Sequence, residues 1–273
     1  MAPRSVQVLL AQSAEARKLL ADLGALLGAP SSAHFQTRSE AMPITADKTV
    51  RELAVELPHA TRVFERLGID YYCGGQKSLE EACTSAKVSM DDVLRELEEC
   101  AAATSPTDRD WNAAPLAKLV DHIVSMHHTY VKSEVPRIEA LISKVAGVHG
   151  KNHPELEQVR VAFRELATEL AAHLMKEEQI LFPYVKEMAG GRRGPSCFGT
   201  VQNPIRVMMM EHDHAGEKLH EMRRLTSDYS LPGDACASYA SLFQALAQFE
   251  QDLHEHIHLE NNILFPRAVA LEQ

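Results

Sequence analysis

The 273-residue chain has no apolar run near the roughly 20 residues that a membrane span requires. It has no basic run longer than Arg192-Arg193, and its net charge is −10. A nucleic-acid footprint needs a clustered basic face, so that class of partner is excluded along with the membrane. The N-terminal MAPRSVQVLLAQSA begins like a signal peptide. Gln7 breaks an apolar stretch that would need about 7–15 residues, so we read no secretion signal there. The cysteines are Cys73, Cys83, Cys100, Cys197 and Cys236, and none forms a C-x-x-C pair. An odd, unpaired count without a secretion signal predicts reduced thiols and a cytoplasmic location. Strand-type alternation is also missing, which predicts an all-α fold.

Histidine is what the chain has in excess. Of its 14 histidines, 12 fall between His122 and His258, and this shift in composition marks a domain. The length suggests about two domains. Residues 5–28 read as a helix stopped by Gly28 and Pro30, followed by a polar linker, and together they make an N-terminal extension over 1–43. Residues 44–103 read as a small helical domain. There Ser78 with Glu81 has capping-box spacing, and the glycine-bearing turn GIDYYCGGQK lies between two helix pairs. That turn is not a phosphate loop, because the glycine spacing is wrong and Gln76 precedes Lys77. Residues 104–110 form a linker. Residues 111–273 read as four long helices, at about 113–147, 155–189, 203–228 and 236–270, which is the pattern of a four-helix bundle.

Two of these helices carry one repeated phrase. HLMKEEQILFP begins at His173 and HIHLENNILFP at His256, 83 residues later. Residues four apart share a helix face, so His173 pairs with Glu177 and His256 with Glu260. Both pairs interrupt apolar stripes, one through Phe163, Leu166, Leu170 and Leu181, the other through Phe249, Leu253 and Leu264. They therefore point into the bundle. An unpaired buried carboxylate costs several kcal/mol unless it is neutralised or binds a metal. Two such costs at matching positions need a common cause, and metal ligation supplies one. His254 and His258 fall with Glu250, Gln251, Asn261 and Asn262 on the polar side, and we read them as solvated.

The other two helices should then supply further ligands. In the third, His212 lies on the stripe of Ile205, Met208, Gly216 and Leu219, and His214 faces away. In the first, His127 and His128 compete; counting from Leu116, Leu119, Val120 and Ile123 puts His127 nearer the centre of the stripe. Pro136 is expected to kink that helix, and Pro183 and Pro266 to bend theirs. With no cysteine in the set, a structural zinc site is disfavoured. Imidazole with carboxylate in a bundle core suits iron or manganese, and two glutamates able to bridge favour a pair of metals with a position left open on each. The ferritin-like Glu-x-x-His pattern is absent, and the His-x-x-x-Glu ligation looks like that of hemerythrin.

DYYCGG, DHIVSMHHTY, HLMKEEQILFP, NPIRVMMMEHDHAG and HIHLENNILFPRA together resemble the iron–sulfur cluster repair di-iron proteins, the Repair of Iron Centers family, over about residues 46–270. The resemblance implies a short N-terminal domain joined to a hemerythrin-like bundle. It implies a non-haem centre of two iron ions, oxo- or hydroxo-bridged, held by His128, His173, Glu177, His212, His256 and Glu260, with the two glutamates bridging. It favours the second histidine of the HH pair, His128, where periodicity favours His127. Glu211 is expected beside the ligands, and His149 is a peripheral candidate. The family implies restoration of iron–sulfur clusters after nitrosative or oxidative damage. Damaged iron–sulfur proteins, nitric oxide and oxygen would be its partners, with a homodimer through the small domain. One departure stands out: the family turn typically reads Asp-Tyr-Cys-Cys-Gly-Gly, whereas here Tyr72 precedes Cys73, so chemistry needing two adjacent thiols is in doubt. Cys73 alone remains a candidate for redox or nitrosyl chemistry. The alternative function is an oxygen or nitric oxide sensor or carrier without repair activity.

Overall fold

Helix starts in the first part of the chain follow from local capping. Thr49 caps α1 (Val50–Glu56): its hydroxyl accepts from the Glu52 amide at 3.2 Å, and the Glu52 carboxylate accepts from the Thr49 amide at 2.8 Å. Ser78 and Glu81 do the same for α3 (Leu79–Ala86), as the spacing predicts. Such reciprocal caps satisfy amides that have no partner within the first turn. Between them, α2 (Ala60–Leu67) ends on Gly68 at φ 65°, a left-handed position that glycine takes without strain. α4 (Met90–Ala102) completes the small domain.

The computed structural model of the chain describes residues 44–57, 59–102, 110–191 and 198–273, and residues 44–273 make one compact unit. The expected helix over 5–28 lies outside the described residues. The bundle has four rods. The first is α5 (Leu116–Ile123) and α6 (Thr129–His149), joined by the π-helical turn Val124–His128. The second is α7 (Glu155–Lys176) and α8 (Phe182–Ala189), joined by the π turn Glu177–Leu181. The third is the single helix α9 (Gln202–Leu225). The fourth is α10 (Ala237–His258) and α11 (Phe265–Glu272), joined by the π turn Leu259–Leu264. No strand occurs among the described residues beyond one isolated Thr49–Ser78 bridge, so the fold is all-α as expected. No described helix is long and apolar enough to cross a membrane.

The rods match the expected spans closely, except that α9 stops at Leu225. Ser227, Asp228 and Tyr229 all take positive φ, between 50° and 57°, which a right-handed helix cannot continue through. Pro136 sits inside α6, which runs on to His149. Pro183 and Pro266 stand in the first turns of α8 and α11. Each follows a π turn, whose wider ring moves the carbonyl four residues back away from a proline that has no N–H to offer it.

One expectation is overturned. His254 and His258 are not solvated: they are 4 % and 5 % exposed, and Glu250, Asn261 and Asn262 beside them are also buried. Periodicity correctly found a polar face on the fourth rod, but the small domain lies on it. The Tyr72 ring stacks on His254 at 3.7 Å between centroids, and the Glu65 carboxylate meets His254 Nδ1 at 3.0 Å. Asn262 Nδ2 donates to the Tyr71 carbonyl at 2.9 Å. The polar residues pair across this contact, so their polarity does not require water.

Between α6, α7 and α10 the bundle core is apolar. Phe249 is 1 % exposed, with Phe163 edge-on at 5.5 Å and Tyr130 at 6.4 Å. Phe249→Ala should therefore destabilise the chain by about 3–5 kcal/mol, read as a shifted urea-unfolding midpoint. A change under about 1 kcal/mol would show that this end of the bundle is loosely packed.

Candidate metal centre

The polar interior of the bundle begins at the π turns. Glu177 opens the second of these turns and Glu260 is the second residue of the third; His128 closes the first. In the first rod the Thr129 hydroxyl donates to the Val124 carbonyl at 3.1 Å, which helps hold the widened turn. A π turn inserts one residue into a helix and changes the phase of everything beyond it. That explains the ambiguity between the two histidines: a count at constant helical pitch favours His127, yet both are buried, and it is His128 that joins the cluster.

The structure brings six side chains into two overlapping groups. His128, Glu177, His256 and Glu260 form one, and His173, Glu177, His212 and Glu260 the other, with the ligand atoms of each group within 4.8 Å of one another. Glu177 Oε2 lies 3.4 Å from both His128 Nε2 and His173 Nε2. Glu260 Oε1 lies 3.1 Å from His256 Nε2, and Oε2 lies 3.0 Å from His212 Nε2. Both glutamates are wholly buried.

Burial pushes Glu177 up and the Glu260 charge adds to it, but His173 and His128 hold the carboxyl below its ordinary value. Burial likewise opposes ionisation of Glu260, and His256 and His212 bring it well below the usual range. Burial pushes His173 down, yet the Glu177, Glu260 and Glu211 carboxylates together outweigh this and raise it to about 9. The centre is thus two carboxylate charges wanting cations.

Several atoms fit a metal better than each other. His128 Nε2, both Glu177 oxygens and Glu260 Oε2 are buried without a properly oriented hydrogen bond. His173 Nδ1 faces the Glu211 carboxylate at 2.9 Å and His212 Nδ1 faces Asn261 Oδ1 at 2.9 Å. Both partners are acceptors, so each Nδ1 carries its proton. With a proton on each Nδ1, the two Nε2 atoms meet at 3.1 Å as facing lone pairs whenever both rings are neutral; without a metal the raised His173 answers this by taking a second proton. A cation between them removes that conflict. A narrow cleft bounded by Leu170, His173, Glu211, His212 and His256 reaches this point; its 10 Å³ is about the space of a single water.

The outer contacts are as specific as the inner ones. A histidine ligand commonly gives its second N–H to a carboxylate or carbonyl, which fixes its tautomer and orientation. Glu211, expected from its place before His212, serves His173 and is also paired with Lys176. Glu178 and Asn261 were missed by sequence reasoning. Glu178 meets His128 Nδ1 at 2.8 Å and Lys132 Nζ at 2.6 Å. Their common position, directly after each of the repeated glutamates, was the available signal. The Leu-Phe-Pro endings have a role too. Leu181 and Leu264 are buried, Phe182 stacks on His128 at 5.5 Å, and Phe265 stacks on His212 at 6.0 Å. Each repeat therefore buttresses a histidine of another rod.

The remaining candidates lie apart from these groups. His127 Nδ1 is bonded to Asp252 at 3.0 Å, and exposed His214 points away. His149 is paired with Cys236 Sγ at 3.2 Å. Cys73 packs against α9, its Sγ 3.5 Å from the His212 carbonyl; burial, reinforced by the Asp70 and Asp213 charges, pushes the thiol up, so it stays protonated. Cys236 is the opposite case. The His149 contact, with backbone amides at the start of α10, holds its thiol down to about 7. Iodoacetamide should therefore label Cys236 ahead of Cys73, Cys83 and Cys100 at pH 7, with its rate rising through a midpoint near 7. Peptide mapping checks this; labelling of Cys236 no faster than Cys100 would contradict it.

Comparison with known proteins agrees with this architecture. The Hemerythrin HHE cation binding domain matches residues 119–268, and a Domain of Unknown function (DUF542) matches residues 46–101. The probable iron-sulfur cluster repair protein of Haemophilus influenzae is 36 % identical over 225 residues, covering 82 % of this chain and 97 % of the relative. The iron-sulfur cluster repair protein YtfE of Escherichia coli O81 is 36 % identical over 226 residues, covering 83 % and 98 %. With both domains matched in order and nearly the whole length of these relatives covered, the chain belongs to the iron–sulfur cluster repair protein family, a DUF542 domain followed by a hemerythrin-like bundle.

Proposed function

We propose that the chain supports repair of iron–sulfur clusters damaged by nitrosative or oxidative stress, through a non-haem di-iron centre. The observation that carries this is the pair of buried His₂Glu₂ groups sharing both glutamates, in a chain whose relatives are named for cluster repair. His128 and His256 would hold one iron and His173 and His212 the other. Glu177 and Glu260 would bridge them, with an oxo or hydroxo group completing the link. Such a centre, when bound, supplies open iron positions for a diatomic molecule such as nitric oxide or oxygen. The residues of the chain do the rest. Glu178, Asn261 and Glu211 orient the imidazoles, Phe182 and Phe265 wall them in, and the narrow cleft limits water.

In this reading residues 44–103 and 111–273 are two functional modules joined by 104–110, and the protein works in the cytoplasm on damaged iron–sulfur proteins. A homodimer through the small domain belongs to the same proposal. A second reading draws on Cys73. With no adjacent thiol, and with its own held protonated by burial, it supports an oxygen or nitric oxide sensor or carrier in which the small domain passes on a signal.

The protein purified without chelator should hold two irons per chain by elemental analysis, and the Glu177→Ala/Glu260→Ala double variant should lose both. Full iron retention in that variant would sink the ligand assignment. Incubating the iron-loaded protein with an enzyme whose cluster has been damaged by nitric oxide separates the two functions. Recovery of that enzyme's activity is expected for repair, whereas no recovery with clean reversible nitric oxide binding would leave the sensor.

A further inference from the structure

Asn261 touches both the small domain and the centre. Its Nδ2 lies 3.2 Å from the backbone carbonyl of Tyr72, in the turn that carries Cys73. Its Oδ1 lies 2.9 Å from His212 Nδ1. The direction of this amide is forced. A backbone carbonyl only accepts, so the NH₂ group must face Tyr72 and the oxygen must face His212. The oxygen in turn only accepts, so the His212 proton sits on Nδ1. That leaves the lone pair of a neutral ring on Nε2, the nitrogen 3.0 Å from Glu260. A backbone carbonyl of the small domain thus selects the tautomer of a histidine in the centre through one side chain.

The surroundings reinforce the link. The turn is seated on α9 where His212 emerges: Cys73 Sγ is 3.5 Å from the His212 carbonyl, and a Cβ on Gly216 would come within 3.3 Å of that sulfur. The neighbouring Asn262 docks the same turn, through the Tyr71 carbonyl at 2.9 Å, but its other contact is His258 Nδ1 at 2.8 Å, outside the centre. The opposite half is wired differently. His128 Nδ1 is held by Glu178 from within the bundle, so its orientation does not depend on the small domain.

We propose that seating of the Asp70–Gly75 turn and metal binding at the His173–His212 half are thermodynamically linked through Asn261, a positioning residue for His212. The link rests on His212 being a metal ligand. Linkage is reciprocal: the seated turn tightens metal at that half, and metal there holds the turn down. The two metal positions are therefore unequal, with only one of them sensing the small domain.

Full-length wild type, Asn261→Ala, Asn261→Asp and Asn262→Ala, titrated anaerobically with ferrous iron, test this. Amide hydrogen exchange of residues 71–75 is followed with and without iron. Wild type should bind two irons and show slower exchange in the turn on binding. Asn261→Ala should bind one of the two irons about 10–100-fold more weakly, the usual effect of removing a ligand's outer partner, and its turn should not respond to iron. Asn261→Asp still accepts from His212 but cannot donate to Tyr72, so it should keep tight iron while losing the response of the turn. Asn262→Ala loses the Tyr71 contact but keeps the Asn261 bridge, so its turn should exchange faster overall yet still slow on iron binding. If wild type takes up no iron, the metal reading and the link both fall. If wild type binds two irons and Asn261→Ala matches it in affinity and exchange, the link alone is overturned.

Discussion

Two ionised carboxylates sealed inside a helical bundle are the constraint on which the rest of this structure depends. Glu177 and Glu260 are both fully buried, and each is held ionised against burial by one imidazole of its own rod and one from a neighbouring rod. Separating such a charge from water costs several kcal/mol per ion, and removing its partners leaves that cost standing. The arrangement around the two glutamates answers it in layers. Four imidazoles face them, polar groups hold the imidazoles, and lysines steady Glu178 and Glu211 in turn.

The layers also show where an approximate two-fold repeat has been broken. His128 matches His212, and His173 matches His256. Glu178 and Asn261 then occupy matching places, as do His127 and Glu211. Three of the four inner histidines find an outer partner, whereas His256 Nδ1 is buried without one, and the His127 ring lies nearly parallel to His256 at 5.5 Å. The substitutions are not random in their effect. A carboxylate at 178 ties one imidazole to the bundle itself, and an amide at 261 has a spare donor with which to reach the small domain.

Much of this could be read from the sequence, for identifiable reasons. The four rods, the inward faces of His173, Glu177, His212, His256 and Glu260, and the capping box at Ser78 all follow from local periodicity and spacing, which tertiary packing here leaves intact. Periodicity gave the wrong weight to His127 because a π turn changes the phase just where the two histidines lie. It misjudged His254 and His258 because a polar face looks the same whether water or another domain covers it. Burial there is decided by Glu65, Tyr71 and Tyr72, which lie about 190 residues away in the chain. Glu178 and Asn261 escaped because a residue that serves another rod's histidine leaves no mark in the periodicity of its own helix, and only its place after the repeated glutamate points to it.

The π turns have a consequence for how the chain can change length. In the connections between rods, an added or lost residue only alters a path over the surface. Within Glu177–Leu181 or Leu259–Leu264 the same event would restore or deepen the helical winding and rotate one end of the rod by roughly 100° against the other. Glu177 would then part from Phe182, or Glu260 from Phe265, and one end of the phrase would leave the core. The repeat thus keeps its exact length in both copies because its spacing is a mechanical dimension, set by the distance from a glutamate to the ring that supports a neighbour's histidine.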